Sequence, residues 1–461
     1  MPSTSAACAS GFPARPVTSC PRILRARLAL PTCSSMLFVI RRRSWPCGRG
    51  RSRQRGRCRS TATWIDSNRF SRLTASLMRI LLVGDYPRDA RLGSTKVLLK
   101  LQEEFRLLGH DCDVLLADDL GASPRHRWLR WGLEPIAALA AVRRIFLRNG
   151  PYDVVDIASA EGLWVGVLRR VGMFGGAAVI ARSNGLEHLN YRRMLDDHQA
   201  GLLQKPWTRR WWYPAVRLSQ VAAAARVADR LILLNEEDRA FALARGWKHE
   251  RSIDLVPHGV SARFLRDVPP AHHPRGRGIL FCGSWDAMKG VHYLASAFSQ
   301  LVAGGAHASL TVLGGGLPAE SILPAFAPGA RSLVTVIDRL PEEEVMTAYR
   351  AHDVMAFPSS YEGFGMVLLE AMTQRLPVVC TPVGCAMSLV RHEETGLTVP
   401  PRNAAALAAA IARMLADTTL RTRLADAAFR RVREMSWTRT ATATLSVYER
   451  ALHGNQVLAH A

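Results

Sequence analysis

From residue 78 onward the chain alternates short apolar runs with longer amphipathic segments. Met78-Arg79-Ile80-Leu81-Leu82-Val83-Gly84 opens directly as an apolar strand. Behind it Val97, Leu98, Leu101, Phe105 and Leu108 recur at helical spacing, and Gly109 closes that helix. The pattern predicts strands over 79–84, 113–117, 154–158, 178–183, 230–235 and 253–257, with helix-length sequence between them. Such alternation requires crossover helices and therefore a parallel sheet. A stretch over 264–278, rich in Pro269, Pro270, Pro274, Gly276 and Gly278, reads as a linker. Beyond it the rhythm resumes, with strands over 279–283, 309–314, 333–338, 354–358, 377–381 and 396–399. The expected fold class is α/β, two doubly wound domains facing a cleft lined by the carboxyl ends of both sheets, where ligands of open α/β folds bind.

Size agrees with two domains, because 461 residues exceed the roughly 250–300 that one core organises. With 48% apolar and 21% charged residues, a collagenous, coiled-coil or wholly disordered chain is excluded. The net charge of +23 is uneven: residues 1–77 hold 15 Arg and a single acid, Asp66, with five of the nine cysteines. A run such as Arg49-Gly50-Arg51-Ser52-Arg53-Gln54-Arg55 cannot bury enough apolar surface to offset its ordering entropy, so the head is expected to be disordered. Three readings fit it: an organelle transit peptide, an RNA-binding run, or translated upstream sequence ahead of a start at Met78. The last is preferred because the first strand follows Met78 at once, and no nucleic-acid partner is expected. The apolar run at 135–142 ends in Arg143 and Arg144, short of the roughly 18–20 residues of a membrane span. Cys112, Cys282, Cys380 and Cys385 show neither CxxC nor Cys/His metal spacing, which suits reduced thiols in the cytoplasm.

Chemistry concentrates in the second domain. Tyr361-Glu362-Gly363-Phe364-Gly365-Met366-Val367-Leu368-Leu369-Glu370-Ala371-Met372 follows the predicted strand at 354–358. Two glycines let the backbone approach a ligand, and a helix opening near Gly365 offers free amides at Gly365, Met366 and Val367 with the dipole behind them, an anion site. Glu370 lies one turn inward, and Glu362 precedes the helix. Carboxylates do not bind phosphate, so the pocket should hold something bearing both phosphate and hydroxyls. Gly283-Ser284-Trp285-Asp286-Ala287-Met288-Lys289-Gly290 places Lys289 at a helix start as a compact cation for a diphosphate.

In these motifs the chain resembles the retaining GT-B glycosyltransferases of family 4, across residues 78–452. The most specific match is the Glu362/Glu370 pair. Lys289-Gly290, Val256-Pro257-His258-Gly259-Val260, Gly396-Leu397-Thr398-Val399 and Ser436-Trp437 support it. The resemblance implies an acceptor domain at 78–265, a nucleotide-sugar donor domain at 266–435, and a C-terminal helix at 436–461 crossing back to the first domain. It implies that Glu362 contacts the donor sugar and that amides from Phe364 to Val367 hold sugar and diphosphate. Glu370 would bind the ribose, and Lys289 would neutralise the departing diphosphate. Transfer would retain the anomeric configuration and need neither metal nor other cofactor; the partners would be a nucleotide-diphosphate sugar and a glycan or lipid-linked acceptor, as in cell-surface polysaccharide or glycolipid synthesis.

Two positions depart from the family. Ser284 stands where an arginine is common, and Asn184 where the family places a histidine near the sugar. Losing one preorganised donor costs about 3–4 kcal/mol of transition-state stabilisation, so a catalytically weakened or inactive binding homologue is the alternative, unless Arg182, His188 or Arg339 substitutes. Gly93, followed by Ser94, half matches the family's glycine pair near the donor phosphate. Gly314-Gly315-Gly316-Leu317-Pro318-Ala319, with Asp338 22 residues after Gly316, fits a dinucleotide fingerprint and a remote oxidoreductase reading. Asp111-Cys112-Asp113 is expected to mark a turn and not a metal site. Finally, Trp207, Arg209, Arg210, Trp211, Trp212 and Tyr213 with Lys205, and Arg125, Arg127, Trp128, Arg130 and Trp131, form two aromatic-cationic patches. They read as helix cover residues, or as a peripheral contact with the inner leaflet of a membrane.

Overall fold

The structure, a computed structural model, describes residues 77–459 apart from 90, 122–125, 202–207, 272, 274 and 277. The arginine-rich head therefore falls outside the described residues, as do Arg125, Lys205, Trp207 and the side chains of Arg127 and Trp128.

All twelve expected strands form. In the first lobe β1 (Arg79–Val83), β2 (Asp111–Leu115), β3 (Val154–Ala158), β4 (Ala178–Arg182), β5 (Arg230–Leu233) and β6 (Ile253–Leu255) make a parallel sheet of order β2-β1-β3-β4-β5-β6. In the second, β7 (Ile279–Cys282), β8 (Leu310–Leu313), β9 (Val334–Ile337), β10 (Val354–Phe357), β11 (Val378–Cys380) and β12 (Leu397–Thr398) form the order β12-β11-β10-β7-β8-β9. Every residue of β3, β4, β8 and β10 is buried, because helices cover both faces of a parallel sheet; this is why the runs read as continuous apolar segments without alternation. The strand order reverses between β1 and β3 in one sheet and between β7 and β10 in the other. Connections leave in opposite directions there and open a crevice at the carboxyl ends.

Asp111-Cys112-Asp113 corrects the expectation of a turn, since it is the first half of β2. The edge strand tolerates exposed Asp111, which accepts from Arg79 Nε at 3.2 Å, and Asp113 accepts from Tyr152 Oη at 2.5 Å.

The C-terminal helix Trp437–Ala459 packs against the first sheet. Trp437, Ala441, Tyr448 and Ala451 are buried in one core with Ile80, Leu82 and Phe105, and the Phe105 and Tyr448 rings lie 5.7 Å apart. Beneath them Asp156 of β3 receives Arg182 Nε at 3.0 Å and Nη2 at 2.5 Å, with Tyr448 Oη donating at 2.5 Å. The chain thus passes between lobes twice, and the two passages run side by side. Val260 N–H donates to Met435 O at 3.0 Å, and Val260 bridges Ser436. A Cβ on Gly259 would fall 2.1 Å from the Ser436 carbonyl carbon, so only glycine fits.

Candidate active site

The loop after β10 ends at Gly365, whose left-handed backbone (φ 90) caps the helix Met366–Thr373. A side chain there is excluded twice, by that φ and by the Phe357 ring, 2.9 Å from where a Cβ would stand. The first-turn amides have no intrahelical acceptor and sit at the positive end of the helix. They are not walled off from the first lobe. A Cβ on Gly93, the first residue of helix Gly93–Leu107, would lie 3.3 Å from Met366 Cε. Gly363 lies against the Asn184 backbone, and its carbonyl accepts from Asn235 Nδ2 at 2.7 Å. The structure therefore brings Gly93, Asn184, Phe364, Gly365, Met366 and Val367 to one seam. The Phe364 side chain turns inward and packs on His258, ring centroids 5.2 Å apart.

The charged residues converge on the same seam. Buried Glu362 accepts from Lys289 Nζ at 2.7 Å and from Ser359 Oγ at 2.9 Å. Lys289 stands at the end of the short turn Ala287–Lys289, capped by Asp286 Oδ1, which accepts the Met288 N–H. The lysine precedes the helix Val291–Ala303 and is separated from it by Gly290. Ser284 lies just beyond β7, at the same sheet end. Glu370 accepts from Tyr349 Oη at 3.2 Å and from Lys96 Nζ at 2.9 Å.

Lys96 was not predicted. It comes from the first-lobe helix Gly93–Leu107 and also pairs with Glu342 at 3.2 Å, tying both lobes together. Burial opposes its charge, but Glu370 and Glu342 outweigh burial and hold the ammonium above its ordinary 10.5. A second group also escaped the sequence reading: Asp85 after β1, Glu161 after β3, Glu187 after β4 and Glu134, with Arg130 and Arg217 among them. The only sequence signal for it was that Asp85, Glu161 and Glu187 each follow a strand's carboxyl end.

The three side chains considered as substitutes for the departing donors do not fill that place. Arg182 is fully buried and committed to Asp156. His188 lies between Phe241 and Trp247, and burial pushes it down to about 4. Arg339 is exposed beyond β9, beside Gly316. The glycine run Gly314–Gly316 precedes a helix of only four residues, Ala319–Ile322, and follows the second strand of its sheet. Both facts remove the dinucleotide reading.

The described residues of the aromatic patches divide between core and surface. Trp131 and Tyr213 are buried together with Tyr191 and Leu218, Arg209 covers the Trp131 and Tyr213 rings, and Trp212 is half-buried. Trp211 and Arg210 remain exposed. Among the described residues no helix is long and apolar enough to cross a membrane.

Comparison with known proteins places this geometry. The family model described as glycosyl transferases group 1 matches residues 270–431. The D-inositol 3-phosphate glycosyltransferase of Corynebacterium urealyticum is 32% identical over 314 residues, covering 59% of this chain and 74% of that protein. The chain spans about half the length of other curated relatives, for example 42% of the enzyme of the same name from Corynebacterium efficiens, at 34% identity over 38% of this chain. Sucrose-phosphate synthase from Thermosynechococcus elongatus superposes with a TM-score of 0.65 at 23% identity, over 82% of this chain and 100% of that one. Anabaena HepE, solved with UDP and glucose, gives 0.58 at 16%, over 81% and 100%. At these identities the solved structures speak for the fold, which is GT-B.

Proposed function

We infer, for a chain that belongs to the glycosyl transferases group 1 family, that it transfers a sugar from a nucleotide-diphosphate donor to a glycan or lipid-linked acceptor with retention at the anomeric carbon. The observation that carries this reading is the convergence of the Lys289–Glu362 pair, Glu370 and the helix start at Gly365 on one seam between the sheet ends. In this reading 78–265 is the acceptor lobe and 266–435 the donor lobe. The diphosphate docks on the Met366 and Val367 amides beside Lys289, which neutralises charge as the leaving group departs. Ribose hydroxyls donate to Glu370, and the sugar's hydroxyls donate to Glu362. Fixed dipoles and one ammonium supply the stabilisation of the developing charge, so neither metal nor organic cofactor is invoked. Support for a nucleotide donor comes from HepE, solved with UDP and glucose on the same fold.

The test is hydrolysis and transfer across a panel of UDP-, GDP- and ADP-sugars with the full chain. One donor should be turned over, and Glu362→Ala should lower kcat at least a hundredfold while that donor's nucleoside diphosphate still binds. Because Ser284 and Asn184 stand where the family resemblance implies an arginine and a histidine, a binding homologue is the second reading. Calorimetric binding of a donor without turnover of any acceptor would establish it.

A further inference from the structure

The carboxyl ends of β1, β3 and β4 carry a cage of acids that the donor reading leaves unused. Asp85 accepts from Arg130 Nη2 at 2.5 Å, and Arg130 Nε donates to Glu134 at 2.8 Å. Arg217 reaches three carboxylates at once: Glu134 at 2.6 Å, Glu161 at 3.1 Å and Glu187 at 3.0 Å. Tyr213 Oη and Ser159 Oγ also donate to Glu187. Four carboxylates thus surround two guanidinium groups, an excess of two negative charges.

One oxygen each from Asp85, Glu134 and Glu161 lie within 4.8 Å of one another. Glu161 is 2% exposed, and its Oε2 has no hydrogen-bond partner. A buried carboxylate oxygen without a donor is costly, and the cost falls when a ligand brings one. Burial raises Glu161, and it raises Glu134 to about 7. Burial disfavours the negative charges of this cage, and a cation bound beside them would offset that cost.

The cage adjoins the donor seam. Tyr86, next to Asp85, accepts from Asn184 Nδ2 at 3.3 Å, and Asn184 abuts Gly363, the neighbour of Glu362. The side chains of Asp85, Glu134 and Glu187 keep 13%, 11% and 22% of their exposure, so solvent touches the rim of the cage while Glu161 lies at its buried end.

We propose that this cage is the acceptor subsite and that it takes a hydroxylated acceptor bearing a protonated amine, an amino sugar or aminocyclitol. The proposal rests on the transferase reading above for the word acceptor, and on the cage alone for the ligand's chemistry. An ammonium brings three donors and one positive charge to oxygens that need donors and carry excess negative charge. A hard divalent cation wants six or more oxygen ligands. Here it would sit beside two fixed guanidinium forks already bonded to the same carboxylates. A neutral polyol supplies donors and leaves the charge excess uncompensated.

The experiment is calorimetric titration of the full chain, with UDP present, by 2-deoxystreptamine and by scyllo-inositol. These rings match in shape and differ in two amines. We expect the aminocyclitol to bind at least tenfold tighter, and Glu161→Gln and Glu134→Gln each to reduce that preference to threefold or less. UDP affinity and melting temperature should stay within error in at least one of the two variants. Equal affinity of the two rings, absence of binding by both, or a preference that survives both variants overturns the proposal. So does Mn²⁺ or Ca²⁺ binding that Glu161→Gln abolishes, which would make the cage a metal site. UDP, GDP and ADP titrated alone separate the readings: binding of none of them together with amine binding sinks the transferase reading and leaves the cage's chemistry standing.

Discussion

The Lys96–Glu370 contact predicts a measurable coupling between the lobes. Lys96 reaches from the first-lobe helix to a carboxylate on the second-lobe helix behind Gly365, with 19% and 9% of the two side chains exposed. Little solvent screens the pair, so each partner contributes as a charge-assisted hydrogen bond, about 1.5–3 kcal/mol. Lys96→Met leaves Glu370 with Tyr349 alone, and Glu370→Gln leaves Lys96 with Glu342 alone. For a lobe of roughly 190 residues, 1 kcal/mol moves the melting temperature by about 2–4 °C, so each single change should lower it by about 3–12 °C. The double variant should melt within a few degrees of the worse single one, because both changes remove the same contact. Scanning calorimetry of the four proteins decides the matter. The charge sign sets the pH window. The folded pKa of Lys96 is raised above 10.5, so its contribution is fully present below 10.5 and is lost only above it. The coupling must then be equal at pH 7 and pH 9. A double variant whose loss equals the sum of the singles, or a Lys96→Met loss under about 1 °C, would refute the reasoning.

Further outcomes follow from single contacts. Gly363→Ala places a Cβ 1.9 Å from the Asn184 carbonyl oxygen; the lobes must part there, and kcat in the donor-panel assay should fall at least tenfold. Tyr448→Phe removes the hydroxyl that shares Asp156 with Arg182 inside the core and should cost about 1–3 kcal/mol in denaturant unfolding, more than any exposed Tyr→Phe control. Burial pushes His258 down to about 3 from 6.5. The unfolded chain binds that proton first, so stability present above pH 6.5 is lost as pH falls toward 3, with a slope of about 1.4 kcal/mol per unit from this group. His258→Gln should flatten the acid limb of the stability profile by that amount, and an unchanged limb would contradict the burial argument.

How much of this was legible in the sequence depends on the range of the interaction. Strands such as Val154–Ala158 appear because burial on both faces writes an unbroken apolar run. The Glu362–Gly365–Glu370 segment appears because one turn and one helix carry it. Lys96 and Glu370 are 274 residues apart, and no local period records that they meet. Arg217 likewise gathers Glu134, Glu161 and Glu187 from three other segments. Arg182 misled in the opposite direction: a cation beside the expected sugar site proved to be bonded inward to Asp156. The turn expected at Asp111-Cys112-Asp113 failed because an edge strand admits polar residues that a central strand excludes.

Val260 and Ser436 lie paired where the polypeptide goes out to the second lobe and comes home. Two parallel threads stitched together resist shear and twist yet still bend, as a door leaf does on its pin. Cutting the chain after residue 435 would remove one thread and strip Trp437 and Tyr448 from the first lobe's core in the same stroke.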